Sequence, residues 1–517
     1  MTATSNSRTD ATNAAIAAQR KFENGMRQIL ALRPSAGAIQ SNEIWSTWAQ
    51  LDGMCALLRR QLESVPTGPV TLVMRNRPSG VAALLGLLMA GRTTYLVSPI
   101  QAPDAIANDV LRSNAGLVVA DTDDWSPALH AVVDQLGWKC ELSRTASGTL
   151  GATSLCTAKR DAAGNDSSGE TALIVPTSGT TGVPKRIAFA WQDLPQPQER
   201  VSEEVVINGM SCATITGLMT VLRAVASGRP LALLERLEIH AWVGLVREHR
   251  PRLAGLPPAA MRSLLDASIN PADLASIEAW PTGSAPVPPA LQEEFERYFH
   301  IPVLVKYGAT EFGGVVAGWT LEDHARWATT KRGSVGRARS GVRLRVVDPA
   351  TGDVLPSGHT GLLEVISPLA PGQTDGWVRT NDLADLDEDG FLYIRGRTDD
   401  VIVRGGFKVP LGELEEILLA HPAVLEAGAV GLSDERLGQV PAAAVTLGVH
   451  AFPPSEQDLK DWVRARTAPY KVPVRVRVVD ALPQTASMKV SRPGLRQLLE
   501  QEDGRHATGS TTGTDEC

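Results

Sequence analysis

Apolar positions recur at two spacings along the chain, and the spacing changes from segment to segment. Trp48, Leu51, Met54, Leu57 and Leu58 return at helical intervals, which predicts an amphipathic helix. Residues 70–74 (VTLVM) read as a strand. Residues 79–90 read as a helix whose apolar stretch, Val81 to Ala90, lies between Gly80 and Gly91. That stretch is about half of what a bilayer span needs, so it predicts a buried core helix. A strand over 93–97, a helix over 105–113 and a strand over 116–120 follow. Strand–helix–strand alternation predicts a mostly parallel sheet covered by helices, an α/β fold.

Residues 158–170 are polar and predict a loop before a strand over 172–175. A second α/β stretch runs from about Val205 to Tyr307. Past Gly333 the texture changes to short β-rich runs, 342–347 and 361–366, separated by Gly, Asp and Pro turns. These predict a small barrel-like unit. After Arg397 a compact α+β segment follows, with helices over 411–420 and 456–466. A domain boundary is placed at 398–400, giving a large unit over 1–397, a small one over 398–500 and a polar, disordered tail over 501–517. Residues 1–15 are rich in Thr, Ser, Ala and Asn and predict a loose arm. No internal repeat is visible.

The chain has 517 residues, more than one hydrophobic core usually supports, so two or more domains are expected. Its 43% apolar and 21% charged residues are those of an ordinary globular enzyme, and its net charge of -7 argues against nucleic-acid binding. The N-terminus lacks an apolar signal core and no transmembrane segment is predicted. Cys55, Cys140, Cys156, Cys212 and Cys517 are scattered without a C-x-x-C pair, which fits reduced thiols and a cytoplasmic location.

The strongest local signal is Thr177-Ser-Gly-Thr-Thr-Gly-Val-Pro-Lys185, directly after a strand. Gly179 and Gly182 let the backbone bend so that its N–H groups converge on an anion. The hydroxyls of Ser178, Thr180 and Thr181 can add donors, and Lys185 adds charge. This is not the common nucleotide P-loop, which needs four residues between its glycines and Ser or Thr after the lysine. Further segments follow: Tyr307-Gly-Ala-Thr-Glu311; Val378-Arg-Thr-Asn-Asp382 leading into residues 390–400; Gly405-Gly-Phe-Lys-Val-Pro410; and Leu482 to Arg492.

In order and spacing these segments resemble the adenylate-forming superfamily, in its acyl-CoA synthetase branch. The resemblance covers roughly residues 45–500. It implies a large N-terminal domain and a small mobile C-terminal one. It implies that Thr177–Lys185 cradles the triphosphate of ATP, and that Tyr307 and Gly308 lie against the adenine. Thr310 would reach the α-phosphate and Glu311 would help hold Mg²⁺, a hard cation suited to carboxylate. Gly283, Ser284 and Ala285 resemble the segment lining the adenine and acyl pockets.

Asp382 would take the ribose hydroxyls, although its triplet is Thr-Asn-Asp where the family has Thr-Gly-Asp. Asn tolerates left-handed backbone better than most residues, so Asp382 is expected to keep its role. Arg397 resembles the ribose-side arginine and Asp399 the hinge residue. Gly405 and Gly406 match the segment that approaches coenzyme A. Lys489 matches the lysine that bridges substrate carboxylate and α-phosphate, though Met488 replaces the usual glycine before it. A cation between two anions is needed most at the transition state. Arg404, Arg475 and Arg477 are candidates for the 3′-phosphate of CoA.

The acyl pocket would be lined by Ala213, Thr214, Gly217, Thr282, Gly283, Gly313 and Gly314. The segment 208–217 has no acidic residue to hold an ammonium, which disfavours an amino-acid substrate. It also has Thr214 where many acyl-CoA synthetases have histidine. The small, mostly apolar lining suits a hydrophobic carboxylic acid, whether fatty, aromatic or alicyclic. The resemblance thus implies an AMP-forming acid–thiol ligase. A ligase loading an acyl carrier protein and a non-catalytic nucleotide-binding homologue are the alternatives. The sequence leaves the oligomeric state open.

Overall fold

The computed structural model describes residues 3–144, 150–157, 170–176, 185–198, 202–370, 376–448, 453–485 and 489–501. The phosphate-loop residues 177–184, the polar loop 158–169, Met488 and the tail 502–517 lie outside them.

The first half is built on a seven-stranded sheet whose middle is parallel. Val70–Val73 pairs with Thr94–Val97 on one side and Leu117–Asp121 on the other. Antiparallel pairs finish both ends, Trp138–Arg144 with Leu150–Thr157 and Thr171–Pro176 with Arg186–Ala190. The helix Pro78–Met89 is buried at every position, as its unbroken apolar run predicts. The helix Trp48–Leu62 opens on a capping box. The Gln50 amide donates to Thr47 Oγ1 at 3.2 Å and the Thr47 amide to Gln50 Oε1 at 2.8 Å, an arrangement worth about 1 kcal/mol.

One sequence expectation fails here. Residues 3–15 are not a loose arm but the start of a helix, Ala3–Leu32. Its later turns bury Phe22, Met26 and Leu30 in the main core. Alanines favour the helix and the buried turns anchor it, so tertiary packing overrides the weak propensity of Thr, Ser and Asn.

The second α/β stretch splits between two sheets. Val206–Asn208 and Leu231–Leu233 join the hairpin Gly37–Ser41 and Ile44–Thr47. Trp280–Thr282 and Val303–Ala309 run parallel and continue into Gly314–Gly318 and Arg337–Ala338. A buried ion network ties the first of these sheets to the large one. Arg77 meets Asp121 at 2.8 Å and Glu235 at 2.6 Å, while Arg75 meets Asp124 at 2.7 Å and Glu235 at 3.0 Å.

The barrel-like unit is a four-stranded antiparallel meander, Arg343–Val347, Gly361–Ile366, Val378–Leu386 and Leu392–Arg397. A bridge between Arg337 and Phe391 joins it to the preceding sheet. Phe312, Val316, Leu363, Val365 and Leu392 fill the space between the two. After a 3₁₀ turn at Thr398–Asp400 come the strands Val401–Arg404, Phe407–Pro410, Val424–Asp434, Gly438–Leu447 and Val476–Val478, in one sheet. The helices Leu411–Leu419, Glu456–Arg464 and Arg492–Glu500 accompany it. Its core, with Val409, Leu414, Leu418, Leu459 and Val463, is separate from the others. No helix among the described residues is long and apolar enough to cross a membrane.

Candidate active site

The centre of the site forms where the parallel strands of the second stretch end, the usual ligand edge of such sheets. Trp280–Thr282 lies beside Val303–Ala309, with Thr282 opposite Val305. Gly283, Ser284 and Ala285 therefore emerge next to Tyr307. A Cβ on Gly283 would sit 2.5 Å from the Lys306 carbonyl oxygen, so only glycine fits. Ser284 has φ +69, a left-handed conformation that non-glycine residues hold at a cost, commonly at functional sites.

Tyr307 donates its hydroxyl to Asp382 Oδ2 in a short hydrogen bond. Burial first, and then the Asp382 charge, push the phenol well above its ordinary pKa, so it stays protonated and remains the donor. Asp382 is buried and accepts a second charged hydrogen bond from Arg397 Nη1 at 3.0 Å. Asp382 and Arg397 are register partners on adjacent strands of the meander. The Asp382 amide donates to Thr380 Oγ1 at 2.9 Å, and that hydroxyl donates to the Leu363 carbonyl at 2.9 Å. Asn381 lies within the strand Val378–Leu386 and is not among the positive-φ residues. The left-handed tolerance invoked for it is therefore not used, and the strand itself holds Asp382 in place.

Thr310 is buried and opens a 3₁₀ turn, Thr310–Phe312, that also carries Glu311. Gly313 closes the turn with φ +74, and its amide donates to the Thr310 carbonyl at 3.0 Å. A Cβ at Gly313 would fall 1.8 Å from the Leu369 carbonyl oxygen. Gly308 is equally confined, with the Gly314 oxygen 2.2 Å from a Cβ position. Glu311 is half-buried, and among the described residues its carboxylate has no hydrogen-bond or ion-pair partner. An unpartnered carboxylate fits one oxygen ligand of Mg²⁺, which takes few protein ligands and otherwise phosphate and water. No group of three or more His, Cys, Asp or Glu among the described residues forms a cage for a metal.

Lys489 reaches this group from the far end of the chain. The Thr485 amide donates to the Lys489 carbonyl at 2.7 Å and the Lys489 amide to Thr485 Oγ1 at 3.3 Å. The lysine side chain is open to solvent yet crowded by protein atoms. That crowding, and then Arg397, hold its pKa below the ordinary lysine value against the pull of Asp382 and Glu311. The structure thus brings Tyr307, Glu311, Asp382, Arg397 and Lys489 into one electrostatic neighbourhood.

Thr177, Ser178, Gly179, Thr180, Thr181 and Gly182 lie outside the described residues. The strands on either side of them are antiparallel, with Pro176 opposite Arg186. Lys185 stands exposed at its end. Asp399 lies in the 3₁₀ turn between the meander and the last sheet. Gly405 and Gly406, at φ +54 and +89, form an exposed two-residue turn between paired strands, the geometry that needs two left-handed residues. No described contact joins this turn to the Tyr307 group. Arg404 donates to the Tyr470 and Val472 carbonyls, Arg475 to Leu499, and Arg477 to Leu498 and Gln501. Those guanidiniums are committed to backbone, which weakens them as partners for a phosphate.

On the acyl side, Ala213 and Gly217 are buried. Thr214 caps the helix Ile215–Ala226, accepting from the Gly217 amide and donating to the Ser211 carbonyl at 2.7 Å. The residue in place of the expected histidine therefore shapes backbone. Gly217 is forced, since its Cβ would lie 2.2 Å from the Ser211 oxygen. Sequence reasoning missed Asn76. Its amide donates to the Met210 and Leu234 carbonyls at 2.8 and 3.0 Å and accepts from the Cys212 amide at 2.7 Å, pinning the pocket segment. Nothing in the local pattern around Asn76 signals a partner more than a hundred residues away.

Residues 27–372 match the family model described as AMP-binding enzyme, and residues 413–489 match the AMP-binding enzyme C-terminal domain. A 4-coumarate–CoA ligase-like protein of Oryza sativa subsp. japonica is 28% identical over 84% of this chain and 80% of its own. A 2-succinylbenzoate–CoA ligase of Bacillus cytotoxicus is 31% identical over 64% of this chain and 71% of its own. Among solved structures, o-succinylbenzoate CoA synthetase from Bacillus subtilis with its acyl-adenylate superposes at TM-score 0.72 with 25% identity, over 93% of this chain and 98% of that one. ATP-bound MatB from Rhodopseudomonas palustris superposes at TM-score 0.74 with 21% identity, over 92% and 98%; that likeness carries the fold.

Proposed function

The chain belongs to the AMP-binding enzyme family, and from that premise we propose that it is an ATP-dependent acid–thiol ligase. It joins a carboxylic acid with a hydrophobic body to coenzyme A through an acyl-adenylate. The supporting observation is the convergence of Lys489 on Glu311, Asp382 and Arg397, residues separated by up to 178 positions in the chain.

The chemistry follows from charge. Carboxylate attack on the α-phosphate brings two anions together, and the enzyme need supply no nucleophile. Lys489 stands between them and stabilises the charge that builds in flight. Tyr307 and Arg397 fix Asp382, which takes the ribose hydroxyls. Gly283–Ala285 and Gly308 let the adenine approach backbone. Thr310 donates to the α-phosphate, and Thr177–Lys185 wraps the leaving pyrophosphate. Glu311 would hold Mg²⁺, which neutralises phosphate charge when bound.

In the second half-reaction the unit over 398–500 turns about Asp399 and withdraws Lys489. Gly405 and Gly406 then flank the pantetheine arm while the thiol attacks the anhydride carbon and AMP leaves with the electron pair. The buried free thiols Cys55, Cys140 and Cys212 suit work in the cytosol.

The test is exchange of labelled pyrophosphate into ATP across a panel of carboxylic acids, followed by AMP release with CoA. Acid-dependent exchange with at least one hydrophobic acid is expected. Absence of exchange with every acid overturns the reading.

A further inference from the structure

One side chain ties the turn Thr398–Asp400 to the segment that carries Lys489. The residues on either side of 486–488 pair antiparallel, with Gln484 bridged to Val490. The Ser491 amide donates to the Pro483 carbonyl at 2.7 Å, and Ser491 then caps the helix Arg492–Glu500. Leu482 and Val490 pack with Leu495 and Leu499 in a small core of their own. That core presses on the strand Val424–Asp434, where a Cβ on Gly428 would lie 2.9 Å from Leu495 and 3.0 Å from Val490. Lys489 thus stands beside a packed base.

Arg492 is the first residue of that helix, three positions after Lys489. Its Nη1 donates to Glu415 Oε1 at 2.5 Å and to the Ala429 carbonyl. Glu415 Oε1 also accepts from the Ala429 amide at 2.7 Å, so the guanidinium, the helix Leu411–Leu419 and the strand Val424–Asp434 close one knot. The other nitrogen, Nη2, reaches Asp400 Oδ2 at 3.4 Å. Among the described residues, Arg492 is the one partner of the Asp400 carboxylate. The two carboxylates are held unequally. A charge-assisted N–H···O bond normally spans about 2.7–2.9 Å, so the link to Glu415 is tight and the link to Asp400 is slack. The side chains of Arg492 and Asp400 are only 14% and 17% exposed, which spares the slack link most of the screening that solvent and salt would bring.

We propose that Arg492 is a positioning residue and that its contact with Asp400 is a latch. Closed, the latch fastens the turn at 398–400 to the base beside Lys489 and holds the arrangement used for adenylation. Open, it frees the turn to rotate, while the Glu415 knot keeps that base intact and the lysine is withdrawn without local unfolding. This rests on the ligase reading above, and it gives Arg492 and Asp400 a share in the switch between the two half-reactions.

The experiment measures the half-reactions apart on the full chain: pyrophosphate exchange into ATP with an accepted acid, and CoA-dependent thioester formation from supplied acyl-AMP. The ratio of the first to the second reads the latch, whereas a purely structural role would lower both together. Asp400→Asn should lower the ratio about twofold to fivefold, the worth of one modest ion pair. Asp400→Glu should restore most of it. Arg492→Lys supplies a point charge without the fork; it should keep Glu415, lose Asp400 and lower the ratio to the same degree. Adding Asp400→Asn to Arg492→Lys should then change nothing further. A cooperative thermal transition shows that each variant is folded. Amide hydrogen exchange over residues 398–404 reads the latch without catalysis, and it should quicken about twofold to fivefold in Arg492→Lys, whose sequence at the turn is unaltered. An unchanged ratio in folded Asp400→Asn, or losses that multiply in the double variant, overturns the latch. If no acid supports pyrophosphate exchange in the wild type, the ligase reading falls; faster hydrogen exchange in Arg492→Lys then still upholds the latch, and unchanged hydrogen exchange overturns it.

Discussion

Lys489 is the residue whose replacement should separate the two proposed half-reactions most cleanly. Lys489→Ala should lower acid-dependent pyrophosphate exchange by roughly 10²–10³-fold, the usual loss for one preorganised charge. Thiol transfer from supplied acyl-AMP should survive, because that step does not use the lysine. Equal loss in both assays would show that the role is misassigned. On the proposed role the charged form carries the function, so activity should fall as pH rises through the lysine pKa. Because that pKa is held down by its surroundings, kcat/KM for ATP should decline on the basic side earlier than an ordinary lysine allows. Lys489→Arg should move the decline upward if it retains activity, since guanidinium does not deprotonate in this range. At this scale the sequence was informative where a motif names a side chain, as at Tyr307, Asp382 and Lys489. It was silent where one residue serves another at a distance, as Asn76 serves the segment at Met210. Local pattern carries no record of which carbonyl a remote amide will meet.

Among elements, the 3₁₀ turn that carries Thr310 and Glu311 depends on a single backbone position. Gly313→Ala places a methyl 1.8 Å from the Leu369 oxygen at φ +74. It should cost more than about 2 kcal/mol, beyond the ~1 kcal/mol of the left-handed conformation alone. A lowered urea midpoint with weakened ATP binding would show this; an unchanged midpoint would mean that the turn relaxes. In the last sheet and its helices, Arg492 holds Glu415 at 2.5 Å and Asp400 at 3.4 Å. Burial already pushes the Glu415 carboxyl above its ordinary pKa despite that arginine. Arg492→Leu would strand the carboxyl and should destabilise by about 3 kcal/mol, read as an earlier unfolding transition.

The helix Pro78–Met89 was legible to within a residue, and that of Trp48–Leu62 from its spacing, though it runs four residues past the last apolar position read, Leu58. Sheet membership was not. The short strands Val206–Asn208 and Leu231–Leu233 pair with a hairpin near residue 40, a choice fixed by packing and by the Arg75–Arg77 ion network. The N-terminal helix was misread because its anchor, Phe22 and Met26, lies beyond the polar stretch that suggested a loose arm.

For the molecule as a whole, the proposed joint is the 3₁₀ turn Thr398–Asp400. Proline fixes φ near the value such a turn already uses. Asp399→Pro should therefore keep the present arrangement and block the rotation. Exchange of pyrophosphate should persist while CoA-dependent product formation falls by at least about tenfold, an expectation set by the gating role of hinges. Loss of both activities would place the pivot elsewhere.

The posture of Lys489 also bears on the order in which reactants arrive. On the proposed reading, a lysine that feels Arg397 and Glu311 serves ATP and acid, and the thiol takes its turn only after pyrophosphate has gone. Initial-velocity plots of ATP against CoA should accordingly give parallel lines, the mark of a catalyst that releases one product before admitting its last substrate.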